Sequence, residues 1–222
     1  PRIKYWKIKG IAAFVIYFFL STYLPMFWNE TLAKYQIIDM SFLGDFGGAV
    51  VALLIYELGV YIWHRSMHKS NTLWRIFHQM HHSAERVDTY GAFFFSLMDM
   101  IGFTFLTSLA LVVAGGFTVQ ATIYAIYGAT FLAVIQHANL RTPQWLGYIF
   151  QRPESHSLHH AKGIHAFNYS DLPLFDILLG TFRNPKEFAK ETGFYDGASS
   201  KIKEMLLRSE EHTSELQSQF RI

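Results

Sequence analysis

Long apolar runs alternate with short polar segments along this chain. Residues 11–28 and 46–63 form two runs of 18 residues, the first without charge and the second with one acid. Residues 92–116 also carry a single charge, and residues 117–136 carry none. About 20 helical residues cross the ~30 Å hydrocarbon core of a bilayer, so each run is long enough to span it. The pattern predicts four membrane-embedded helices rather than the core helices of a soluble protein.

Charges in the connecting segments predict how these helices are oriented. Residues 1–10 contain four basic residues and no acid, whereas residues 29–45 contain three acids and one lysine. We expect the second helix to end at His64, and the segment 65–88 that follows is net positive. Basic loops are retained in the cytoplasm. The N-terminus and the segments after the second and fourth helices are therefore predicted on the cytoplasmic side, with a tight turn at residues 114–116 on the other side.

Histidines dominate the candidate chemistry. Ten of the eleven lie between positions 64 and 165, as H-x-x-x-H at 64–68, H-x-x-H-H at 78–82 and again at 156–160, with His137 between them. Spacings of three and four residues place imidazoles on one face of a helix. The chain has no cysteine, and clustered nitrogen ligands suit Fe, Zn, Cu or Ni. Nine or so imidazoles exceed the coordination number of one ion, so the pattern predicts two metals.

The order of these motifs resembles a known family. H-R-S-M-H, H-Q-M-H-H, Q-H-A-N-L-R and H-S-L-H-H follow one another, and Asn168-Tyr169 precedes a D-x-x-x-G-T-F ending at Phe182. Over residues 56–182 the chain resembles the fatty acid hydroxylase / sterol desaturase superfamily of integral-membrane di-iron oxygenases. The resemblance implies an all-α fold with a four-helix transmembrane stem and a cytosolic histidine-rich helical cap. It also implies two iron ions, O₂ as co-substrate, and hydroxylation or desaturation of an unactivated C–H bond in a lipid.

The resemblance also implies a set of metal ligands. His165 stands outside the clusters and is either a tenth ligand or a residue that supports the others. The implied ligands are His64, His68, His78, His81, His82, His137, His156, His159 and His160, with His165 as the tenth candidate.

Several polar residues are candidates to orient the ligands. Asn139, Asn168, Asp171 and Asp176 are equally cap or turn residues, because Asn and Asp favour both. Glu57 lies two helical turns before His64, and it and Asp99 are charges inside apolar runs, which usually face protein or a polar cavity. For both, lining the site and pairing structurally remain open. The candidates are Glu57, Asn139, Asn168, Asp171 and Asp176.

The aromatic residues admit two interpretations. Phe93, Phe94 and Phe95, and Tyr124 with Tyr127, either line a slot for a lipid or serve packing and the membrane interface. Phe95-Ser96-Leu97 replaces a His-Pro pair found in many sterol-type members, which weakens assignment to the sterol branch.

Other functions remain open at this stage. A carotenoid-type hydroxylase on the same scaffold, a non-enzymatic membrane metal-binding or transport protein, and an inactive member are alternatives. Transport sites tend to lie near the bilayer midplane, whereas these histidines fall at helix ends. Electrons are expected from a separate electron-transfer protein, and no basic tract indicates nucleic acid. An integral membrane protein of the bacterial inner membrane or the endoplasmic reticulum is expected, with the histidine boxes facing the cytoplasm.

The chain divides into four predicted regions. Residues 1–63 form N-terminal membrane helices, 64–187 a histidine-box catalytic region with two further membrane helices, and 188–207 a C-terminal cytosolic segment. Residues 208–222 include R-S-E-E-H-T-S-E-L-Q-S, which resembles a translated sequencing adapter, and are expected to be a non-native tail. Because the chain opens with Pro1, we expect a natural N-terminus upstream.

Overall fold

The computed structural model describes residues 2–207 and shows helices joined by short loops, with no β-strand in that range. The all-α prediction is therefore confirmed. The predicted non-native tail, 208–222, lies outside the described residues. The α-helices are α1 (Trp6–Tyr23), α2 (Pro25–Ala33), α3 (Gly44–Lys69), α4 (Asn71–Leu73), α5 (Gln79–His82), α6 (Leu97–Ser108), α7 (Val119–Gln136), α8 (Pro153–His159), α9 (Leu174–Leu178) and α10 (Ile202–Leu206).

Four helical segments are long and apolar enough to cross a membrane: Trp6–Ala33, Ser41–Lys69, Leu97–Ala114 and Val119–Gln136. They coincide with the four predicted runs, so the four-helix stem is confirmed. Their outer faces carry large apolar side chains, as expected where lipid rather than water surrounds the helix. Helices suit this setting because every backbone polar group is satisfied within the segment. The protein is an integral membrane protein.

The first membrane segment is two helices rather than the single predicted one. α1 ends at Tyr23 and α2 begins at Pro25. Proline has no backbone N–H, and its ring clashes with the preceding turn, which interrupts the helix. Leu24 between them keeps helical dihedral angles, φ −60° and ψ −39°, so the chain continues towards the far end of the stem.

Two helix boundaries also differ from those predicted. α3 extends to Lys69 instead of ending at His64, and it stops where Ser70 becomes extended, with φ −120° and ψ 116°. His64 and His68 therefore both lie on α3. α6 begins only at Leu97, because Ser96 Oγ accepts a hydrogen bond from a backbone N–H in its first turn and so caps the helix.

α3 and α7 pack closely at the centre of the stem. A Cβ added at Gly48 would lie 3.0 Å from the Cβ of Ala121, and one at Gly128 would lie 3.5 Å from Leu53. Small residues let transmembrane helices approach each other in this way. Both helices end at the same side of the stem, where their last residues meet the cap, which comprises residues 70–96 and 137–207.

The cap has its own hydrophobic core, which includes Trp74, Phe94 and Phe194. Its first segment contains a π-helical turn, Trp74–His78, between α4 and α5. Such turns insert an extra residue and redirect the side chains that follow, often at functional sites. Gln79 anchors this segment, since its Nε2 donates to the carbonyl of Met205 at 2.8 Å. The arrangement holds α5 over the end of α3.

Candidate metal centre

Nine of the ten predicted ligands form two groups of buried imidazoles. In each group, one nitrogen atom per residue lies within 4.8 Å of those of the other members. No member is more than 7% exposed. The first group contains His64, His68, His78, His82 and His159, and the second contains His81, His137, His156 and His160.

The repeated H-x-x-H-H motif explains how two groups arise from few elements. In α5 and the turn before it, His78 and His82 are four residues apart and face the first group, whereas His81 faces the second. Around α8 the arrangement is reversed, because His156 and His160 face the second group and His159 the first. Successive helical residues point about 100° apart, so each His-His pair divides between the two sites.

The long helices complete each group. His64 and His68, one turn apart near the end of α3, join the first group, and His137, at the C-terminal cap of α7, joins the second. The two groups share a boundary, since the rings of His82 and His160 stack with centroids 4.1 Å apart. Two ions side by side would fit this arrangement.

Hydrogen bonds to carbonyl oxygens define the tautomer of three ligands. The Nδ1 atoms of His64, His137 and His159 lie 2.7–2.8 Å from the carbonyl oxygens of Tyr169, Ala133 and Phe167, respectively. A carbonyl oxygen only accepts, so each Nδ1 carries the hydrogen and each neutral ring directs the lone pair of its Nε2 into the site.

The Nε2 atoms also approach one another closely, an arrangement that a cation between them would stabilise. His64 Nε2 lies 2.9 Å from His78 Nε2, and the Nδ1 of His78 is bound to a carboxylate. Both rings therefore present lone pairs to each other, which is repulsive without a positive charge between them. Two nitrogens bound about 2.1 Å from one ion at right angles would lie about 3 Å apart. The residues present thus fit a metal.

Several ring nitrogens have no other partner. Neither nitrogen of His68, nor Nδ1 of His160, makes a hydrogen bond of good geometry, although both residues are buried. Buried polar atoms rarely remain unsatisfied in native proteins. A metal ligand role would satisfy one nitrogen of His68.

Burial keeps the imidazoles neutral. It lowers the pKa of His78, His82 and His159 well below the ordinary histidine value, and neighbouring imidazoles lower it further. In the second group, burial lowers the pKa of His137 to about 4. The remaining members outside the membrane helices, His81, His156 and His160, have pKa values lowered by the same two causes. Neutral imidazole is the form that binds a metal.

His165 lies beside the first group but outside it. Its Nδ1 is 3.0 Å from the Nδ1 of His82, so its ring contacts a candidate ligand. Burial lowers its pKa to about 3. The sequence left two roles open for His165, a tenth ligand or a support for the other ligands. This contact favours the second role, in which His165 orients His82.

Asp99 is connected to the candidate metal site by a hydrogen bond to His78. Its Oδ2 accepts a hydrogen bond from His78 Nδ1 at 2.7 Å, and both side chains are at most 2% exposed. Carboxylates in this position hold the imidazole ring in place and make it a stronger ligand. The sequence left open whether Asp99 lines the site or pairs structurally. In the structure it does both, because its partner is one of the grouped histidines.

Glu57 binds a loop rather than an imidazole. Its Oε2 accepts hydrogen bonds from Ser170 Oγ and the backbone N–H of Asp171, both at 2.9 Å, and from the N–H of Leu172 at 3.2 Å. Glu57 is fully buried. It therefore fixes the segment that follows Tyr169, whose carbonyl orients His64.

Asp176 and Asn168 hold the same loop from its other side. Asp176 accepts from the backbone N–H groups of Tyr169 and Ser170, each at 2.9 Å. Asn168 has a left-handed backbone, φ 51°, and its Nδ2 donates to the carbonyl of Ser155 at 3.0 Å. Left-handed angles in residues other than glycine store strain and concentrate at functional sites.

The other two candidate residues lie in different surroundings. Asp171 Oδ1 accepts from Gln136 Nε2 at 2.7 Å, and its side chain faces a cavity beside the histidines. Asn139 lies exposed on the cap beside a polar cavity.

Three cavities that share lining residues lie between the histidines and the outer part of the stem. The inner cavity, about 60 Å³, is lined by His64, His78, His81, His137 and His156 together with Asp171 and apolar residues that include Phe93, Phe95 and Ala133. The middle cavity, also about 60 Å³, shares Phe93 and Ala133 with it. The outer cavity, about 540 Å³, lies between α1, α6 and α7 and is lined by Phe93 and Tyr127. Phe94 and Tyr124 instead pack against other aromatic rings.

Sequence reasoning missed some contributors. Trp74 packs between the rings of His68 and His82, at centroid distances of 4.8 and 4.9 Å. The Nε2 atom of Gln151 lies 3.3 Å from the Nδ1 atom of His156. The one signal in the sequence for Trp74 and for Gln151 was a position shortly before a histidine motif. The carbonyl groups that orient the rings leave no signal in residue identity.

The chain is similar in sequence to three proteins named as lipid hydroxylases or monooxygenases. Ornithine lipid hydroxylase OlsE of Rhizobium tropici is 34% identical over 143 residues, 61% of this chain and 42% of that protein. Sphinganine C4-monooxygenase 1 of Arabidopsis thaliana is 26% identical over 163 residues, 68% and 60% of the two chains. Cholesterol 25-hydroxylase of Rattus norvegicus is 24% identical over 146 residues, 60% and 46% of the two chains.

The matched part of the chain thus spans 42–60% of the length of these relatives. No solved structure matches the chain. The sequence model of the fatty acid hydroxylase family matches residues 49–181, which is more than half of the chain and contains every histidine of both groups. The chain belongs to the fatty acid hydroxylase family.

Proposed function

We propose that this protein is a membrane-bound di-iron oxygenase that oxidises an unactivated C–H bond of a lipid with O₂. One observation carries the proposal: two adjacent groups of buried, neutral imidazoles open into an apolar cavity that continues into the membrane stem. The names of the three relatives, hydroxylases and a monooxygenase, favour hydroxylation over desaturation.

Iron is the metal that this chemistry requires. Bound redox-active iron supplies the activation of O₂ that protein side chains cannot provide, whereas zinc has no redox chemistry. The first group of histidines would hold one ion and the second group the other. His165 would hold His82 in place from outside the group.

The chain's own residues prepare the site for that metal. Backbone carbonyls and Asp99 orient the imidazole rings, so the ligand geometry is set before a metal arrives. Burial of every member of both groups excludes bulk water. Exclusion of water protects a reactive oxidant from side reactions.

A lipid would reach the site from within the membrane. The outer cavity, about 540 Å³, has the size of an ordinary small-molecule site. Its lining is mainly apolar, and it shares Tyr17 and Phe93 with both the middle and the inner cavity. An alkyl segment entering between α1, α6 and α7 would therefore place a C–H bond beside the histidines.

The relatives act on polar-headed or sterol lipids by their names: an ornithine lipid, sphinganine and cholesterol. They support a lipid substrate and do not favour the carotenoid alternative. The transport alternative has no support from the position of the histidines, which lie at the cap end of the stem and not at its middle.

The orientation of the cap and the source of electrons complete the proposed function. We propose that the cap faces the cytoplasm, because the segments on its side of the stem are rich in Lys and Arg. A separate electron-transfer protein would deliver two electrons per turnover to the exposed surface of the cap.

The first experiment measures metal content and lipid oxidation together. Detergent-purified wild type, expressed with excess iron, is compared with the double variant His159→Ala/His160→Ala, which removes one imidazole from each group. We expect about two irons per wild-type chain and a large loss in the variant. His212→Ala, which changes a histidine of the predicted non-native tail, serves as the control and should retain the iron.

Activity is then tested with ¹⁸O₂, a chemical reductant and a membrane lipid extract. Incorporation of ¹⁸O into a lipid by wild type but not by the double variant would support the proposal. Zinc alone under these iron-replete conditions, or no bound metal, would contradict it.

A further inference from the structure

The reaction proposed above consumes protons at a place where few groups can supply them. Hydroxylation combines R–H, O₂, two electrons and two protons into R–OH and one water. The O–O bond breaks, one oxygen atom enters the C–H bond, and the other leaves as water. The electrons come from the electron-transfer protein. Each proton must arrive at a site from which water is excluded.

The ligand imidazoles are poorly suited to supply these protons. In four of them, His64, His78, His137 and His159, Nδ1 donates to a fixed carbonyl or carboxylate oxygen and Nε2 faces the candidate metal site. Donation of those hydrogens would break the contacts that orient the rings. Among the described residues that line the inner cavity, Asp171 carries the one carboxyl group.

Asp171 is held in position from several sides. Gln136 Nε2 donates to its Oδ1 at 2.7 Å, and its backbone N–H donates to Glu57 at 2.9 Å. Its own backbone carbonyl accepts from the N–H of Gln151 at 2.8 Å. No described positive side chain forms an ion pair with it. A carboxyl group so placed retains a proton more readily than one paired with Arg or Lys.

A chain of amide side chains links Asp171 to the second group of histidines. Gln136, which bonds to Asp171, accepts at its Oε1 from Gln151 Nε2 at 3.0 Å. Gln151 Nε2 in turn lies 3.3 Å from the Nδ1 of His156. Neither glutamine titrates, so this network positions the carboxyl group and leaves proton donation to Asp171 itself.

We propose that the Asp171 carboxyl group donates a proton to the oxygen that is reduced in the inner cavity, and that Asp171, which is half-buried, regains the proton from water outside that cavity. The inference rests on the proposed oxygenase function. Asp171 releases the proton from its O–H, becomes a carboxylate stabilised by Gln136, and is protonated again before the next donation. Desaturation would also consume two protons and two electrons for each O₂, so the role is the same for either reaction.

The surroundings of Asp171 determine how its proton responds to pH. Burial raises the pKa of its carboxyl group to about 7, the hydrogen bond from Gln136 lowers it, and the charge of Asp176 raises it. The protonated form is then present below about pH 7 and is lost as the pH rises through that value. The titratable groups that face or adjoin it are Glu57 and Tyr56 on α3, Asp176 on α9, Tyr17 on α1, and the imidazoles of His64, His78, His81, His137 and His156 across the inner cavity.

The test compares Asp171→Asn with wild type. The amide has nearly the same shape and can still accept from Gln136, but it cannot donate an acidic proton. We expect iron content to be unchanged and lipid oxidation to fall ~10²–10⁴-fold, the usual range for loss of a general acid. Wild-type product formation should fall as the pH rises through about 7, and the variant should lack this dependence. Glu187→Gln, which removes an exposed cap carboxylate, is the matched control and should behave as wild type.

A second readout does not depend on the loaded enzyme. Infrared spectra of the metal-free proteins at neutral pH should contain a protonated carboxyl C=O band in wild type that Asp171→Asn lacks. If Asp171→Asn does not fold, Asp171→Glu replaces it, and the band should shift between the two acids.

Three results would overturn the inference: wild-type oxidation and pH dependence in Asp171→Asn, no protonated-carboxyl difference between wild type and Asp171→Asn, or no shift of the band in Asp171→Glu. Absence of lipid oxidation in wild type itself would instead refute the oxygenase function, and the infrared comparison would still decide whether Asp171 holds a proton.

Discussion

Removal of the Asp99 carboxylate should weaken one metal site and leave the other intact. Asp99 Oδ2 binds His78 Nδ1 at 2.7 Å, with both side chains at most 2% exposed. A buried hydrogen bond to a charged group contributes about 1.5–3 kcal/mol, and each 1.4 kcal/mol is about tenfold in affinity. Asp99→Ala removes the whole bond, so we expect the first group to lose about 10- to 100-fold in metal affinity, as is typical for partners of ligand histidines.

Asp99→Asn should have a smaller effect. Its amide oxygen can still accept from His78 Nδ1, and charge-assisted bonds are about twice as strong as neutral ones. The expected loss is therefore about half of the bond energy, or up to about tenfold in affinity. A metal affinity that decreases in the order wild type, Asp99→Asn, Asp99→Ala would indicate that the carboxylate holds the His78 ring in place.

The assay is chelator competition with Co²⁺ or Zn²⁺, which avoids iron oxidation, on detergent-purified protein. Two binding steps are expected for wild type, and only one should weaken in the Asp99 variants. Asp45→Asn is the matched control, because Asp45 also lies in the first turn of a long helix and bonds a neighbouring element, Thr118, but at the opposite end of the stem. Wild-type affinity at both steps in Asp99→Ala would refute the reasoning.

Two further predictions concern access and the loop behind the site. Ala133→Trp should fill the junction of the inner and middle cavities. Lipid oxidation should then fall at least tenfold, while metal content stays at the wild-type level. Unchanged oxidation would argue against entry of the lipid through these cavities. Glu57→Ala should leave the N–H groups of residues 171 and 172 unsatisfied, at about 1–3 kcal/mol each. Since ~1 kcal/mol shifts the melting temperature of a chain of this size by about 2–4 °C, the Tm in detergent should fall by several degrees, and exposed Glu30→Ala should not change it.

The relatives show why the histidine chemistry and the substrate must be considered separately. All three are similar in sequence to this chain, yet their names refer to an ornithine lipid, sphinganine and cholesterol. The ligand groups and their orienting carbonyls lie in the matched region 49–181, whereas the outer cavity is lined in part by α1 and α2, which precede it. Substrate choice is therefore expected to depend on these first two helices.

The sequence alone determined the transmembrane helices and the nine histidines that form the two groups. Hydropathy over 18–25 residues and helical spacing of histidines are local properties, so both can be read without knowing how the elements pack. Local signals also explain the errors. Pro25 indicated a break that the uncharged run concealed, and the basic residues after His64 suggested a helix end where α3 in fact continues to Lys69.

Only the tertiary structure decided how those ligands are shared and supported. The division of each His-His pair between two groups depends on how α5, α8 and the ends of α3 and α7 meet. The pairing of Asp99 with His78 joins residues 21 apart, and that of Glu57 with Ser170 joins residues 113 apart. The carbonyls of Phe167 and Tyr169 reach their imidazoles because the intervening backbone adopts left-handed angles. Such contacts join distant segments or use backbone atoms common to every residue, so no pattern of residue types could have specified them.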